Sequence, residues 1–223
     1  GISTVTDFIQ SPSTGHILTS IYDGGIYDID LDAPTNSRVI HYPNDTPWIG
    51  DPCVFSLHED MDHNLWVGKR IGLSVRMASG AAMSLDSLKI GDKYLSNYSI
   101  NDITSFQSHE LWVGTLNGGV VRITGRGDDW HGYKAEVFNI ENNRLTSNFI
   151  NCLFHDSHGR LWAGTNSSGL ALYDAVHHTF RPVHLKWNLP GDAVVSICED
   201  HDGVLWLGTN SGLIRLAVSE DTK

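Results

Sequence analysis

A short segment centred on tryptophan returns at regular intervals along the chain. Its clearest copy is Leu161-Trp162-Ala163-Gly164-Thr165, followed by the pair Gly169-Leu170. Further copies occupy Leu65 to Lys69, Leu111 to Thr115 and Leu205 to Thr209, and a weaker copy near the start has Leu18 in place of tryptophan. The five anchor positions are separated by 48, 46, 50 and 44 residues. A period in the mid-forties, with tryptophan in a short strand between glycine-rich turns, is typical of a β-propeller in which each repeat is one blade.

The apolar segments between these anchors are too short for helices. They are rich in Val, Ile, Leu and Trp and are separated by Gly, Asp, Asn and Ser. A helical solenoid of similar period would need amphipathic helices of about ten residues or more. We therefore predict an all-β fold: a single propeller array over residues 1–223, with five repeats of about 44–50 residues and four-stranded blades. The predicted blades span approximately residues 5–43, 53–93, 102–140, 149–185 and 194–216.

The fourth repeat shows best how one blade divides into strands. From the innermost strand A to the outermost strand D, they are predicted at Phe149 to Phe154, Leu161 to Thr165, Leu170 to Asp174 and Phe180 to Leu185. Pro182 in strand D fits an edge strand, because proline cannot donate a hydrogen bond within a sheet. The A strands of the other repeats are predicted at Val5 to Gln10, Val54 to His58, Ile103 to Gln107 and Val194 to Cys198.

The last repeat is expected to be incomplete. Its strand C is predicted at Leu213 to Leu216, and only the short, polar stretch 217–223 follows. Because closed propellers remove their exposed edges, we expect the chain to be part of a larger propeller of about seven blades; the alternative is a closed ring of five. Blade one should be held least firmly, since Leu18 fills less space than an indole.

Composition restricts the partners of this segment. A net charge of −11 and the lack of any run of Lys and Arg argue against nucleic acid as a partner, and they disfavour a strongly anionic ligand unless a local basic patch is present. No apolar run is long enough for a membrane span. Cys53, Cys152 and Cys198 have no CxxC spacing and lie in apolar strands, so we expect buried free thiols.

The fifth repeat carries a family resemblance. Its residues from Val195 to Leu213 read VSICEDHDGVLWLGTNSGL. This pattern resembles the two-component regulator propeller repeat. Four repeats match well, the first loosely, so the resemblance covers essentially the whole chain. The second and third depart from it: Lys69 replaces threonine, Asn64 replaces glycine, and the turn Ser108-His109-Glu110 is short.

The resemblance implies a role as well as a fold. Such repeats form the periplasmic sensor region of hybrid two-component histidine kinases, which implies detection of oligosaccharides from polysaccharide breakdown. The implied partners are the remaining blades, the downstream domains of the parent protein and a second copy in a homodimer; no cofactor is implied. Two alternatives remain open: a scaffold propeller that binds proteins, and a propeller lyase or hydrolase acting on glycans.

Candidate ligand-binding residues lie in one set of loops. With strand A innermost, the D-to-A and B-to-C loops open on one face, here called the upper face, and the other turns open on the lower face. Aromatic rings, amides and arginines on the upper face suit a sugar. The candidates are Trp48, Arg70, Tyr98, Asn117, Arg144, Asn166, Trp187 and Asn210. Alternatively, the tryptophans are plugs against the next blade and the asparagines only shape turns.

No motif predicts a metal site or catalysis. The acidic turns Glu59 to Asp62 and Glu199 to Gly203 lack the distal Glu of a calcium loop, so we interpret them as tight β-turns. Twelve histidines occur without metal-ligand spacing. Because no nucleophile or phosphate-binding motif is present either, we expect this segment to be non-catalytic.

Overall fold

The strands of this protein form a radial series of five antiparallel sheets. The computed structural model describes residues 4–34, 38–125, 130–183 and 193–218. The first strand of each sheet packs against the first strand of the next, in the order β1, β5, β11, β15 and β19 defined below. This arrangement confirms the predicted all-β propeller fold and its five blades.

Within each blade the strands follow chain order from the centre outwards. In blade 1, β1 to β4 span Val5–Gln10, Ile17–Ile21, Gly25–Ile29 and Val39–Tyr42. In blade 2, β5 to β8 span Val54–Glu59, Leu65–Lys69, Leu73–Arg76 and Ala82–Ser84. A small hairpin follows, with β9 at Lys89–Ile90 and β10 at Lys93–Tyr94. A 3-10 helix, Leu95–Asn97, leads into the next blade.

The remaining blades repeat this order. In blade 3, β11 to β14 span Ile100–Thr104, Glu110–Thr115, Val120–Gly125 and Tyr133–Phe138, and a 3-10 helix, Trp130–Gly132, precedes β14. In blade 4, β15 to β18 span Ile150–His155, Leu161–Thr165, Leu170–Asp174 and Thr179–Pro182. In blade 5, β19 to β21 span Val194–Glu199, Leu205–Thr209 and Gly212–Leu216. None of the described helices is long and apolar enough to span a membrane.

One predicted strand was wrong in its position. The A strand of blade 3 runs from Ile100 to Thr104, three residues before the predicted start at Ile103. Pairing explains the shift, because Ile100 lies opposite Thr115, the same register in which Ile150 lies opposite Thr165 in blade 4. The predicted strand included Phe106 because this residue is apolar, but Phe106 belongs to the following turn. The β9–β10 hairpin was not predicted.

Every innermost strand contains a β-bulge at the same place. The pairing register shifts between Val5 and Asp7, and at the equivalent positions of the other four blades. The bulged residue reaches the next blade: Asn101 donates to the carbonyl groups of Ile150 and Asn151 at 3.1 and 2.9 Å. Asn151 and Thr6 bond the following blades in the same way. The bulges therefore turn side chains into links between blades.

Two carboxylates follow these bulges and add a second link. Asp102 accepts a hydrogen bond from the Leu153 backbone N–H of the next blade at 2.6 Å, and Asp7 accepts one from Leu57 at 2.8 Å. Burial raises the pKa of Asp102 to about 7, although its backbone hydrogen bonds act to lower it. Burial also raises the pKa of Asp7. Both side chains thus tie adjacent A strands together at a cost in desolvation.

The repeated tryptophans fill the space between blades. Trp66, Trp112 and Trp162 are almost completely buried, and each packs against residues of its own blade and the next. Trp206, in the last described blade, is only half-buried. The pattern identified in the sequence is therefore a packing unit.

The acidic turns anchor these indoles. Trp162 donates its indole N–H to Asp156 Oδ2 at 2.8 Å, while Asp156 Oδ1 accepts the N–H groups of His158 and Arg160 in the same turn. Asp60 and Asp200 hold their turns and indoles alike. These contacts support the interpretation as tight β-turns and give each carboxylate a structural role.

The motif glycine leaves room for the following blade. An added Cβ would lie 2.8 Å from the Ile150 side chain at Gly114 and 2.8 Å from the Val194 carbonyl oxygen at Gly164. Since both neighbours begin the next innermost strand, any side chain here would push the blades apart.

The outward faces of the first and last blades are open in the described part of the chain. Phe8 in β1 is 69% exposed and Leu213 in β21 is 67% exposed. The same opening explains a wrong prediction: Cys53 and Cys152 are buried free thiols, but Cys198 is exposed because it lies on the last blade.

Candidate functional site

The loops of the upper face are joined by backbone hydrogen bonds. The residue after each B strand donates its N–H to the residue before the A strand of the same blade. The pairs are Arg70 with Cys53, Asn166 with Phe149 and Asn210 with Ala193, at 2.9, 3.1 and 3.3 Å. The B-to-C and D-to-A loops therefore share one face, as predicted.

Four of the predicted site residues are exposed on this face. They are Arg70, Asn117, Asn166 and Asn210. Asn117 lies one residue farther along its loop than the others, because Leu116 is the residue that bonds back to Ser99. These side chains sit on four separate blades around the upper face.

Two predicted aromatic residues are packing groups. Tyr98 is 7% exposed and belongs to the core between blades 2 and 3. Its ring occupies the space that a side chain on Gly118 would fill. Trp48 is half-buried and meets Tyr42 edge-on, with ring centroids 6.3 Å apart. Trp48 therefore fits the loop-plug interpretation, and Tyr98 is part of the core. Trp187 lies outside the described residues.

Arg144 is also committed to structure. Its Nη2 donates to Glu136 Oε1 at 2.8 Å, and its Nε donates to the His178 carbonyl group at 2.7 Å. The guanidinium carbon lies 3.9 Å from the centre of the Phe138 ring. Through these contacts Arg144 links blades 3 and 4. Most of its hydrogen-bond donors and its ring-stacking face are therefore already used and are not free for a ligand.

Arg70 has polar and aromatic neighbours, which form what we call the Arg70 patch: Tyr22, Asp23, Asn44, Asp51 and Arg70. Tyr22 is 51% exposed and the Arg70 side chain is 52% exposed. A hydrogen bond to Cys53 raises the pKa of Tyr22, whereas the nearby Arg70 charge acts to lower it.

The patch has a rigid base. Asp51 is 3% exposed, and its carboxylate accepts the backbone N–H groups of Cys53 and Ile71 at 2.8 and 3.0 Å. Arg70 Nε lies 3.8 Å from Asp51 Oδ1, and Asn44 donates to Asp23 Oδ1 at 3.1 Å. An exposed ring, a guanidinium, an amide and a carboxylate can together stack on a sugar and bond its hydroxyl groups.

Tyr22 was not among the site residues predicted from the sequence. The first repeat matches the others only loosely, and Leu18 hides its alignment. If Ser20 is aligned with Gly164, Tyr22 is the equivalent of Asn166. This alignment would have identified Tyr22 as a candidate site residue.

The lower face carries two clefts between blades that were not predicted. The first, between blades 2 and 3, has a volume of about 260 Å³, an apolar floor that includes Trp66 and Tyr133, and carboxylates from Asp60, Asp62 and Glu110. The second, between blades 3 and 4, has a volume of about 410 Å³ and is lined by aromatic and basic side chains. Both volumes approach or reach the range of about 300–1,000 Å³ that is usual for small-molecule sites.

No group of three or more His, Cys, Asp or Glu side chains in the described ranges is arranged to hold a metal ion. The histidines serve other contacts: His58 shares a 2.7 Å hydrogen bond with Ser105, and His155 one of 3.2 Å with Thr104. Burial lowers the pKa of His58 to about 4 and also lowers that of His155.

Comparison with known families gives one match. The sequence model of the family described as two component regulator propeller matches residues 144–167 and 188–211. No curated protein matches the chain in sequence.

Solved structures share the fold. The extracellular domain of BT3049 from B. thetaiotaomicron, described as a hybrid two component system, is 19% identical with a TM-score of 0.77. The corresponding domain of BT4673 from B. thetaiotaomicron is 21% identical with a TM-score of 0.63. Both alignments cover 99% of this chain, which spans only 28% and 32% of the two domains. Virginiamycin B lyase from Staphylococcus aureus is 16% identical with a TM-score of 0.68, over 96% of this chain and 70% of the lyase. At these identities the similarity establishes the propeller alone.

Proposed function

We propose that this chain, which the two component regulator propeller model matches at residues 144–167 and 188–211, is a ligand-binding propeller segment of the extracytoplasmic region of a hybrid two-component sensor. The observation that carries the binding role is the Arg70 patch, where an exposed tyrosine and arginine stand on a rigid, buried carboxylate. The solved structures that share the fold include extracellular domains of two such systems, which supports a periplasmic location.

The proposed ligand is an oligosaccharide released from a polysaccharide. Tyr22 presents a ring face on which the C–H groups of a sugar can stack, and Arg70 and Asn44 supply donors for its hydroxyl groups. Asn117, Asn166 and Asn210 extend a polar surface around the same face, so a chain of several sugar units has further amides to bond.

Binding would act by a population shift. An oligosaccharide that binds one arrangement of paired sensor domains more tightly than another biases the pair toward that arrangement. The remaining blades, downstream domains and a kinase of the parent protein would carry this bias across the membrane. The segment itself is proposed to be non-catalytic.

Calorimetric titration tests this function. Mixed oligosaccharides from several polysaccharides are titrated into the wild-type chain and two variants, Arg70→Ala and Arg181→Ala. Arg181 is a matched control, because its side chain is 48% exposed and pairs with buried Asp174 much as Arg70 pairs with Asp51. We expect at least one glycan class to bind, with an affinity that Arg70→Ala lowers and Arg181→Ala leaves unchanged. Equal affinities of the two variants for the glycan would contradict the proposal that the Arg70 patch binds it.

One observation favours a scaffold as a second candidate function. Phe8 and Leu213 expose large apolar surfaces on the outward faces of blades 1 and 5, and such surfaces are suited to contact with protein. A scaffold would bind no glycan in the titration above, while its mass by light scattering would rise with concentration or with an added protein partner.

The lyase relative raises the enzyme alternative at the level of fold. Mass spectrometry of the oligosaccharides after long incubation tests it. We expect their masses to stay unchanged, and products of cleavage would overturn the non-catalytic assignment.

A further inference from the structure

The cleft between blades 3 and 4, called here the 3/4 cleft, lies on the lower face, away from the Arg70 patch. It is formed by the turn after β11, the start of β12 and β16, and the C strands β13 and β17. Its volume of about 410 Å³ lies within the usual range for a small ligand.

Aromatic rings form the walls of the 3/4 cleft. Phe106 is 48% exposed and stacks on His155, with ring centroids 5.4 Å apart and an angle of 21° between the planes. Tyr173 packs against buried Trp112 at 4.7 Å and shares a 3.4 Å hydrogen bond with His178. A flat, ring-shaped ligand therefore has ring faces on which to pack.

The charged side chains in the 3/4 cleft differ in how many of their donors and acceptors have hydrogen-bond partners. Glu110 uses both oxygens: Oε1 accepts the Trp112 indole N–H at 2.9 Å, and Oε2 accepts Nε and Nη2 of Arg122. The third nitrogen of Arg122 lies 3.8 Å from Glu136. This part of the cleft is therefore internally paired.

Unlike Arg122, the Arg160 side chain has only one nitrogen that is hydrogen-bonded within the described ranges. Its Nε donates to Asp156 Oδ2 at 2.6 Å, and its guanidinium carbon lies 5.6 Å from the centre of the Trp162 ring. Within the described ranges of the chain, neither Nη1 nor Nη2 of Arg160 has a hydrogen-bond partner. The side chain is thus fixed at one edge and presents two parallel donors at the other, the geometry that binds a carboxylate through both oxygens.

The neighbouring cleft between blades 2 and 3 offers a comparison within the same chain. Glu110 precedes Leu111 as Arg160 precedes Leu161, so the charge at this repeated position reverses between blades 3 and 4. Asp60, Asp62 and Glu110 line the first cleft, whereas the second is lined by Arg122, Arg160 and His178 together with Glu110, which reaches both clefts. Two arginines and one glutamate give the lining of the 3/4 cleft a net charge of +1, on a chain whose net charge is −11.

We infer that the 3/4 cleft binds a carboxylate carried on a six-membered ring, with the carboxylate on Arg160 and the ring against Phe106 and Tyr173. Uronic acid sugars and aromatic carboxylates share this chemistry. These two classes of ligand differ only in the ring. A sugar ring adds hydroxyl groups that the His178 and Gln107 side chains can bond.

The experiment is a titration of the full chain with galacturonate. Binding is measured by calorimetry and by the nuclear magnetic resonance signals of the indole N–H groups. Galactose serves as the neutral ligand and benzoate as the aromatic carboxylate. We expect saturable binding of galacturonate or benzoate and none of galactose. Tighter binding of galacturonate assigns the site to acidic sugars, and tighter binding of benzoate assigns it to aromatic acids.

Two variants test the assigned contacts. Arg160→Lys keeps a positive charge beside Asp156 but removes the paired donors, so the affinity should fall roughly tenfold or more. Phe106→Ala should lower it by about fivefold, the range expected for one stacked ring. The matched controls are Arg181→Lys and Tyr94→Ala, because Arg181 is an exposed, carboxylate-paired arginine and Tyr94 is 51% exposed on the β9–β10 hairpin.

Several results would overturn the inference. They are equal binding of galactose and galacturonate, unchanged affinity in both cleft variants, or equal losses in the controls. Phe106 is about half exposed and lies outside the hydrophobic core, so we expect its removal to leave the core intact. A thermal melt like that of the wild type keeps that variant decisive. Arg70→Ala should leave galacturonate binding unchanged, which separates this site from the proposed oligosaccharide site.

Discussion

Replacing Asp102 with asparagine should change how the stability of the propeller depends on pH. Asp102 is buried in the innermost strand of blade 3, and burial raises its pKa from 3.8 to about 7. Because the folded-state pKa lies above the unfolded value, the folded state keeps its proton to higher pH than the unfolded state does. Ionisation therefore favours the unfolded state first, and the free energy of unfolding falls as the pH rises from about 4 to about 7.

The size of this effect follows from the two pKa values. With 3.8 in the unfolded state and about 7 in the folded state, the loss of stability grows by about 2.5 kcal/mol between pH 5 and pH 8. Asparagine carries no charge at either pH. The stability of Asp102→Asn relative to wild type should therefore rise by about 2.5 kcal/mol over this interval, on top of a constant cost because one oxygen replaces two acceptors.

Urea unfolding followed by tryptophan fluorescence at pH 5, 6, 7 and 8 measures this difference. Groups that do not interact with Asp102 cancel in the comparison: the pKa of His58, which burial lowers to about 4, is the same in both proteins. The Cys152 thiol, whose pKa burial raises to about 12, stays protonated over this range. Asp200→Asn is the control, because the hydrogen bond from Trp206 helps to lower the pKa of Asp200 and its difference from wild type should stay constant. A constant difference for Asp102→Asn would refute the assignment of this carboxylate as a buried acid.

Other predictions concern the repeated motif. Gly164→Ala should destabilise the protein by about 1–3 kcal/mol in urea unfolding, because the new methyl group meets the Val194 backbone. Gly208→Ala should cost less, since only the Ser196 hydroxyl lies in its way; equal costs would contradict the packing argument. Trp162→Phe should cost about 2–4 kcal/mol through the lost hydrogen bond to Asp156 and the cavity left behind, and half-buried Trp206→Phe should cost less. Finally, hydrogen exchange should be faster for the β2 amides of blade 1 than for the β16 amides of blade 4, since Leu18 makes no indole bond; slower exchange in β2 would contradict this.

The fold could be predicted because each blade solves the same packing problem. Trp162 fills the space beside the next blade and Gly164 leaves room for its first strand, so both recur wherever a blade has a neighbour. The register of blade 3 could not be predicted in the same way. Phe106 looks like a strand residue, and only the pairing of Ile100 with Thr115 places it in a turn.

The site was harder to predict, because loop composition does not show which way a side chain turns. Tyr98 and Arg144 have the chemistry of a sugar site, but Tyr98 fills the space left by Gly118 and Arg144 bonds Glu136 and the His178 carbonyl group. The 3/4 cleft was missed for another reason. Phe106 and Arg160 lie in different repeats, and their proximity follows only from how two blades pack.

Hydrogen–deuterium exchange with and without saturating mixed oligosaccharides tests most directly whether this propeller binds sugar on its upper face. We expect slower exchange in the loops that carry the Arg70 patch, residues 22–25, 43–53 and 70–72, with little change in the lower-face turns at 60–64 and 156–160. Protection confined to the outward faces of blades 1 and 5, or no protection with any glycan class, would contradict it.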